Sequence, residues 1–318
     1  MNNTHPLVSI LIPAYNMEKY IDQCIKSALN QSYTNTEIII CDNASTDATA
    51  QAISVFSDDR LKIVLNGSNI GPIANFNKLL TLASGKYIKF LEADDYLHPN
   101  CVENLLAPLL NNPESVMSCC GKYLINSDGQ VTGEHKKPKS ETVSGESVIK
   151  RLRQMGNEFG TPSDVLFSKK AIDQAGAFDP AFGNYLNDWD LWIRIAKLGR
   201  VCFVAEALAY VRRHPGQIGA VGAADNRDIR SSSLMVRKNF ADRTERNLLL
   251  VHFSSEYIRR AVGRFLKRPN QVTGRYMLET FHMIKEDIGI GLTVASAFYF
   301  PTILLYLRLR HRIMHRRC

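Results

Sequence analysis

Short apolar runs alternate with polar stretches along the first hundred residues, and in several of the stretches between them apolar residues recur every three to four positions. Apolar runs of about four to eight residues are typical of buried strands, and a period near 3.6 is typical of helices that pack by one face. The alternation predicts an α/β fold, with a mixed, mostly parallel sheet flanked by helices. Four strands are expected first, at residues 8–12, 38–41, 62–65 and 87–91.

Helices are predicted between these strands. Apolar residues recur at helical spacing from position 17 to position 28, directly after the first strand. The polar run 42–47 holds Asp, Asn, Ser and Thr, which cap helices, and predicts a second helix that turns Ala52, Val55 and Phe56 toward the core. Further helices are expected over 75–82, 102–110 and 188–198, and further strands over 116–120, 201–204 and 207–211.

The pattern also predicts how the chain divides. Strands are expected as far as residue 211, whereas helical patterns prevail from about residue 225. We therefore expect a sheet-containing domain over residues 1–222, with halves 1–100 and 101–222, followed by a C-terminal helical region over 223–318.

Composition and charge exclude several classes of protein. Hydrophobic residues make up 45% of the chain and charged residues 22%, which is typical of a folded protein. The seven cysteines include no C-x-x-C pair, which argues against a disulfide framework or a structural zinc site and favours a reducing cytoplasm. The N-terminus has no basic leader, so no signal peptide is expected.

The net charge of +8 is concentrated at the C-terminus. Residues 288–318 contain five arginines and no acidic residue, so they carry more than half of the excess. The remainder of the chain is only mildly basic, and no nucleic-acid partner is expected.

Residues 288–307 form an uncharged apolar segment directly before the arginines at 308, 310, 312, 316 and 317. The segment is long enough to cross a bilayer, but it contains Gly289, Gly291 and Pro301, and a crossing would send the arginines out of the cytoplasm. The pattern favours a helix in the membrane plane, with the arginines on anionic headgroups, and packing within the fold is the alternative. We expect a cytoplasmic protein, peripheral on the inner face of the cell membrane.

Carboxylates follow two of the predicted strands. Glu92, Asp94 and Asp95 follow the fourth strand, and Asp42 follows the second. In open α/β sheets ligands bind at the carboxyl ends of the strands. An extended chain would place Glu92 and Asp94 on one face and Asp95 on the other.

These carboxylates predict a divalent cation, Mg²⁺ or Mn²⁺, because such ions prefer oxygen ligands and accept further ligands from phosphates. A solvated acidic turn is the alternative. Neither of the glycine-rich phosphate-binding patterns, G-x-x-x-x-G-K-[ST] or G-x-G-x-x-G, occurs in the chain, so kinase, P-loop and dinucleotide-binding functions have no support.

Several ordered blocks of the chain resemble those of family 2 glycosyltransferases. The blocks are VSILIPAYN at 8–16, ICDNASTD at 40–47, NIG at 69–71 with Asn75 and Asn77, GKYIKFLEADD at 85–95 with Pro99, NDWDLWIR at 187–194, and residues 210–214. The resemblance covers roughly residues 6–216. It implies a GT-A fold whose first half binds the nucleotide and whose second half binds the acceptor.

The resemblance also implies a reaction. It is the inverting transfer of a sugar from a nucleotide-diphosphate donor, a UDP-sugar, to a saccharide or lipid-linked acceptor in bacterial surface polysaccharide assembly. A single sugar is expected to be added, because the Q-x-x-R-W motif of the family's processive polymerases is absent.

Donor-site residues follow by position in the blocks. Asp42 resembles the aspartate that recognises the nucleotide base, and Asp94 resembles the metal-binding aspartate of the D-x-D motif. Glu92 stands where Asp is usual, and Asp95 is expected to orient the site rather than to bind the metal. The same nucleotide site is expected to include Pro13, Ala14, Tyr15 and Asn69.

Asp188 resembles the catalytic base, although Asn187 stands where the family often has Glu; a helix N-cap is the alternative role for Asp188. His214 is expected at the metal or the diphosphate, aided by Arg212 or Arg213, or else at the surface.

Two further pairs near Asp188 have alternative roles. Trp189 and Trp192 either stack on a sugar ring or pack in the core. Asp190 and Arg194, four residues apart, are expected to form a surface pair or to support the site from behind.

Two other functions stay open on the sequence. A nucleotidyltransferase that makes sugar nucleotides would also use an α/β sheet and a metal, but its glycine-rich start is missing after the first strand. A non-catalytic, glycosyltransferase-like membrane scaffold is supported only by the departures at Glu92 and Asn187.

Overall fold

The computed structural model describes residues 5–155, 157–182, 186–214, 227–242, 246 and 249–250. The chain divides into two compact units, Met1–Ile218 and Gly219–Cys318. The predicted apolar and arginine-rich tail over 288–318 lies outside the described residues. In the described part, no helix has both the length and the apolar character that a membrane crossing requires.

The first unit is built on one mixed sheet. Its strands are β1 (Val8–Ala14), β2 (Thr36–Asp42), β3 (Leu61–Leu65), β4 (Tyr87–Phe90), β5 (Tyr96–Leu97), β6 (Ser115–Ile125), β7 (Val131–His135), β8 (Glu141–Ser144), β9 (Val165–Ser168) and β10 (Arg200–Arg212). Their order is β3-β2-β1-β4-β9-β6-β10-β5, with β7 paired to β6 and β8 paired to β10. Strands β1 to β4 are mutually parallel, and β9 is antiparallel to both of its neighbours.

Helices flank this sheet. They are α1 (Ile21–Leu29), α2 (Thr49–Ser54), α3 (Pro72–Leu82), α4 (Cys101–Asn111), α5 (Gly145–Met155), α6 (Lys169–Ala175) and α7 (Asn187–Ala196), with short 3-10 turns at Pro162–Asp164 and Pro180–Phe182. In the second unit the structure describes α8 (Arg227–Asn239). The predicted α/β architecture, a mixed sheet flanked by helices, is confirmed.

The apolar pattern explains most of these elements. Strands β1 and β2 are buried along nearly their whole length, as expected for near-continuous apolar runs covered on both faces. Helix α1 buries Ile21, Cys24, Ile25 and Ala28, which share one face at helical spacing.

Two predicted elements were wrong in detail. Helix α2 ends at Ser54, so Val55 is 73% exposed instead of facing the core, and Ile53 is buried in its place. The two strands predicted at 201–204 and 207–211 are one strand, β10, because the irregular register between Phe203 and Ala209 accommodates Glu206 within it.

The sheet register positions the candidate site. Ala14 at the end of β1 pairs with Asp42 at the end of β2, and Leu11 of β1 pairs with Phe90 at the end of β4. The carboxyl ends of these three strands therefore lie at one edge of the sheet. The polar residues that follow them are brought to this edge by the topology.

Candidate active site

The first corner of the site lies at the ends of β1 and β2. Asp42 is buried, and its carboxylate accepts hydrogen bonds from the Ser45 hydroxyl and from the Ser45 N–H at 3.2 Å. Ala14 is buried beside it, and the Ala14 carbonyl accepts from the Asn43 N–H at 2.8 Å. Tyr15, the next residue, is 41% exposed. The predicted residues of this corner are therefore adjacent, with Pro13 paired to Cys41 in the same ladder.

A network of asparagine side chains supports this corner. Asn43 donates from Nδ2 to Asn69 Oδ1 at 3.0 Å and accepts at Oδ1 from Asn66 Nδ2 at 2.9 Å. Asn66 also donates to Asn75, which donates to the Cys41 carbonyl. Asn69 was predicted at this site, and it accepts from the Gly71 N–H as well. The network shapes the loop that faces Asp42.

The second corner is the acidic turn, residues 92–95, directly after β4. The Asp95 N–H donates to the Glu92 carbonyl at 2.9 Å, so the chain turns here instead of staying extended. The predicted alternation of Glu92 and Asp94 against Asp95 is therefore wrong. Asp94 and Asp95 are 8% and 2% exposed, which excludes a solvated turn.

The two aspartates of the acidic turn have different partners. Asp94 Oδ2 lies 3.1 Å from His214 Nε2. Asp95 accepts from the Ser163 hydroxyl at 2.6 Å and from the Arg212 N–H at 2.9 Å. Asp94 thus faces the predicted histidine, whereas Asp95 is hydrogen-bonded to the protein by both of its oxygens.

Arg212 was predicted, as an alternative to Arg213, to aid His214, and its guanidinium is bonded to the acidic turn and to neighbouring segments. It is 2% exposed, and its guanidinium donates to the Asp94 carbonyl, to Gln23 Oε1 and to the carbonyls of Asn126 and Ser127. The guanidinium also lies 4.4 Å from the centroid of the Tyr20 ring. All of these contacts are with other parts of the protein. Arg212 therefore links the acidic turn to α1 and to the loop that contains Asn126 and Ser127. Arg213 is exposed.

Glu92 lies where the carboxylates converge. Burial raises its pKa well above the usual range, and the charges of Asp95, Asp94 and Asp188 raise it further. The structure therefore brings Asp188 to the acidic turn, although the two are almost a hundred residues apart in sequence.

Asp188 lies in the first turn of α7. The helix begins at Asn187, after Leu186 in a left-handed conformation, so Asp188 is not the N-cap. Burial raises the pKa of Asp188 to about 6, and the Trp189 N–H, which donates to its carboxylate at 2.9 Å, opposes that rise. A carboxylate with such a pKa is suited to accept a proton near neutral pH.

A buried ion pair that was not predicted from the sequence lies near these carboxylates. Lys122 Nζ lies 2.7 Å from Asp164 Oδ2, and the Asp164 side chain is 1% exposed. The same Asp164 oxygen accepts from the N–H and the hydroxyl of Thr161. Lys122 lowers the pKa of Asp188, whereas Asp164 raises it. The only sequence signal was the T-P-S-D run at 161–164, which resembles a helix cap.

The remaining predictions concern α7. Trp192 is fully buried against the Phe167 and Phe178 rings, which assigns it to the core. Trp189 is half-buried, so a contact with sugar stays a prediction.

The pair of Asp190 and Arg194 lies inside the protein, not at its surface. Arg194 is 2.8 Å from the fully buried Asp190 carboxylate, and it also donates to the carbonyls at 175–177. Helix α7 packs against the loop after α6, and this packing buries the ion pair. Through its hydrogen bonds to the carbonyls of that loop, Arg194 holds the loop in place.

The second corner fits a divalent cation. Among the described residues, no three Asp, Glu, His or Cys side chains form a ready-made metal cluster. Asp94 and His214 nevertheless present an oxygen and a nitrogen donor that converge, beside carboxyl groups whose repulsion a cation would relieve. Mg²⁺ and Mn²⁺ usually take only one or two protein ligands when phosphates and water supply the rest.

Comparison with known proteins identifies related sequences. Residues 9–176 match the family described as Glycosyl transferase family 2. The UDP-Glc:alpha-D-GlcNAc-diphosphoundecaprenol beta-1,3-glucosyltransferase WfaP of Escherichia coli is 30% identical over 217 residues, which are 67% of this chain and 80% of that protein.

Solved structures show the same fold. S. aureus TarS 1-349 in complex with UDP-GlcNAc superposes with a TM-score of 0.65 at 16% identity, over 88% of this chain and 81% of that one. The mannosyltransferase PcManGT from Pyrobaculum calidifontis, in complex with GDP-Man and Mn²⁺, gives 0.59 at 16% identity, over 89% and 81%. At this identity the likeness concerns the fold alone, and it confirms the expected GT-A fold.

Replacing Asp164 with Asn tests the electrostatic coupling behind the site. Asp164 raises the pKa of Asp188 and Lys122 lowers it, so removal of the Asp164 charge should bring the pKa of Asp188 below about 6. Loss of a charge partner inside the protein also costs about 3 kcal/mol of unfolding free energy. The pKa is measured by NMR titration of the Asp188 carboxyl carbon, and stability by urea denaturation.

The matched control is Asp173→Asn on α6, since Asp173 is 60% exposed in its pair with Lys169. This variant should change neither quantity. An Asp188 pKa that stays the same or rises in the Asp164 variant would contradict the coupling.

Proposed function

This chain belongs to glycosyl transferase family 2, and we propose that it transfers a single sugar from a nucleotide-diphosphate donor to a saccharide or lipid-linked acceptor, with inversion at the anomeric carbon. The chain is a glycosyltransferase. The observation that carries the proposal is the convergence of Asp94, His214, Glu92 and Asp188 at the carboxyl edge of the sheet, next to the corner at Asp42.

A UDP-sugar is the donor that we propose. The Escherichia coli relative is named for UDP-Glc, and the TarS structure holds UDP-GlcNAc, whereas the mannosyltransferase holds GDP-Man. In this chain the base would lie at the corner formed by Ala14, Tyr15 and Asp42. The named acceptor of that relative is a diphosphoundecaprenol-linked sugar, which supports a lipid-linked acceptor in surface polysaccharide assembly.

Asp188 would act as the catalytic base. Inversion is a single in-line displacement, in which the acceptor oxygen bonds to the anomeric carbon as the bond to the donor diphosphate breaks. The Asp188 carboxylate would take the proton of the acceptor hydroxyl during this step, and the nucleoside diphosphate would leave with the electron pair. The Trp189 N–H holds one carboxylate oxygen at 2.9 Å, which fixes the orientation of the base.

Asp94 and His214 would hold a divalent cation. When bound, Mg²⁺ or Mn²⁺ would supply positive charge to the leaving diphosphate. Asp95 would keep Asp94 in place, because its own oxygens accept from Ser163 and from the Arg212 backbone.

Asp188→Asn should abolish transfer, because the amide cannot accept the proton, while donor binding is nearly unchanged. We would measure nucleoside diphosphate release with acceptor present, and UDP affinity by calorimetry. In the wild type, Asp188 must be ionised to act, so the rate should rise with pH through about 6 and then level off.

Asp173→Asn, on the exposed face of α6, serves as the control and should keep full activity. Substantial turnover by the Asp188 variant, or a rate that falls from about pH 5 to about pH 7, would remove Asp188 from this role. Pyrophosphate as the product would instead indicate a nucleotidyltransferase, and an inert wild type would indicate a scaffold.

Asp94→Asn should weaken Mn²⁺-dependent UDP binding by about 10-fold or more, because it removes one charged oxygen donor from the cation site. Calorimetric titration of UDP with and without Mn²⁺ measures the effect. Asp22→Asn on α1, where the side chain is 56% exposed, is the matched control. Equal Mn²⁺ enhancement in both variants would contradict the assignment.

For the tail we propose binding to an anionic membrane surface, on the sequence of residues 288–318. Each arginine near such a surface contributes about 1 kcal/mol. Changing all five arginines of this tail to glutamine should therefore lower binding to phosphatidylglycerol vesicles by about 1000-fold or more. Sedimentation measures binding, and phosphatidylcholine vesicles are the control. Equal binding of wild type and variant to the anionic vesicles would exclude the proposal.

A further inference from the structure

One buried hydroxyl connects the acidic turn to the 161–165 loop, which leads into β9. Ser163 is fully buried. Its hydroxyl donates to Asp95 Oδ2 at 2.6 Å and accepts from the Glu92 N–H at 3.1 Å. A single side chain therefore holds both the backbone of the acidic turn and one of its carboxylates.

The loop that presents Ser163 is itself attached to a buried lysine. Lys89 lies on β4, pairs with Leu166 of β9, and is fully buried. Its ammonium donates to the Ser163 carbonyl and, at 3.3 Å, to the Val165 carbonyl. Burying an ammonium costs free energy unless it is hydrogen-bonded. Separating the Lys89 ammonium from these two carbonyls is therefore unfavourable, and the charge of the donor strengthens both hydrogen bonds. Lys89 thus fixes the loop to the strand that precedes the acidic turn.

The connection continues from Ser163 to the end of β10. Asp95, held at one oxygen by Ser163, accepts at the other from the Arg212 N–H at 2.9 Å. Two residues further along the chain, His214 reaches Asp94 at 3.1 Å. The positions of Asp94 and His214 therefore both depend on the Asp95 carboxylate, which lies between their chain segments.

We propose that Ser163 and Lys89 are positioning residues, which hold the acidic turn in the geometry that brings the Asp94 carboxylate to the His214 ring. Loss of the Ser163 hydroxyl frees one Asp95 oxygen and the Glu92 N–H, and loss of the Lys89 ammonium frees the loop. Either change moves Asp94 relative to His214. The consequence for cation binding rests on the proposed function, in which Asp94 and His214 are the ligands.

The first test is made on the metal-free full-length protein. Ser163→Ala should shift the His214 ring resonances in ¹H–¹⁵N NMR spectra, because the ring loses its fixed partner. Ser118→Ala is the matched control: Ser118 is equally buried on β6, and its hydroxyl donates to the Leu105 carbonyl at 2.6 Å, away from the acidic turn. Thermal unfolding of both variants measures the loss of stability that follows from removing a buried serine hydroxyl.

The second test measures cation binding. UDP affinity is determined by calorimetry with and without Mn²⁺, and the ratio of the two gives the Mn²⁺ enhancement. Ser163→Ala and Lys89→Met should lower this enhancement by about 10-fold, as expected when partners behind a metal ligand are removed. Ser118→Ala should leave it unchanged.

The outcomes distinguish a failure of the positioning roles from a failure of the proposed metal site. His214 resonances in Ser163→Ala that match those of Ser118→Ala would overturn the positioning roles, whatever the metal dependence. A wild type without Mn²⁺ enhancement would overturn the metal assignment of the proposed function, and the NMR comparison would still decide the positioning roles. Should Lys89→Met fail to fold, the Ser163 and Ser118 variants decide the outcome.

Discussion

Several carboxylates lie close together at one edge of the sheet. The surrounding structure has to compensate their mutual repulsion. Glu92, Asp94, Asp95 and Asp188 are close enough for the other three to raise the pKa of Glu92. Like charges in a partly dry site destabilise a fold unless hydrogen bonds or cations compensate. Several buried polar contacts around the acidic turn supply such compensation.

The compensation comes from groups of different kinds. Backbone N–H groups of Arg212 and Trp189 donate to Asp95 and Asp188, and the Ser163 hydroxyl donates to Asp95. Lys122 offsets Asp164 as a full charge. Protein groups thus donate to both oxygens of Asp95, whereas one oxygen of Asp94 lies against the His214 ring. The two neighbouring aspartates therefore differ in their partners, because Asp95 is bonded to Ser163 and to the Arg212 backbone whereas Asp94 faces His214.

The sequence predicted those parts of the molecule that depend on local patterns. Strands β1 to β4 and the carboxylates after them follow from apolar runs with polar residues at their ends, and the family resemblance located Asp188 and His214. The sequence could not predict the contacts of Ser163 and Lys89 or the pairing of Lys122 with Asp164. These contacts depend on β9 lying between β4 and β6, which no local period encodes. For Asp190 and Arg194 the sequence left a surface pair and a supporting pair open, since the i,i+4 spacing shows only that the two can meet, and the packing of α7 makes the pair buried.

The place of β9 in the sheet also bears on how the protein is made. Ser163 and Asp95 are 68 residues apart, and Arg212 and Asp95 are 117 apart. On the ribosome, strands β1 to β4 are complete long before the groups that neutralise the acidic turn have been synthesised. Contacts between distant segments form late and slowly. A nascent chain that has passed β4 but not β10 therefore carries the acidic turn without the Ser163 hydroxyl and the Arg212 N–H that bond to Asp95 in the folded protein.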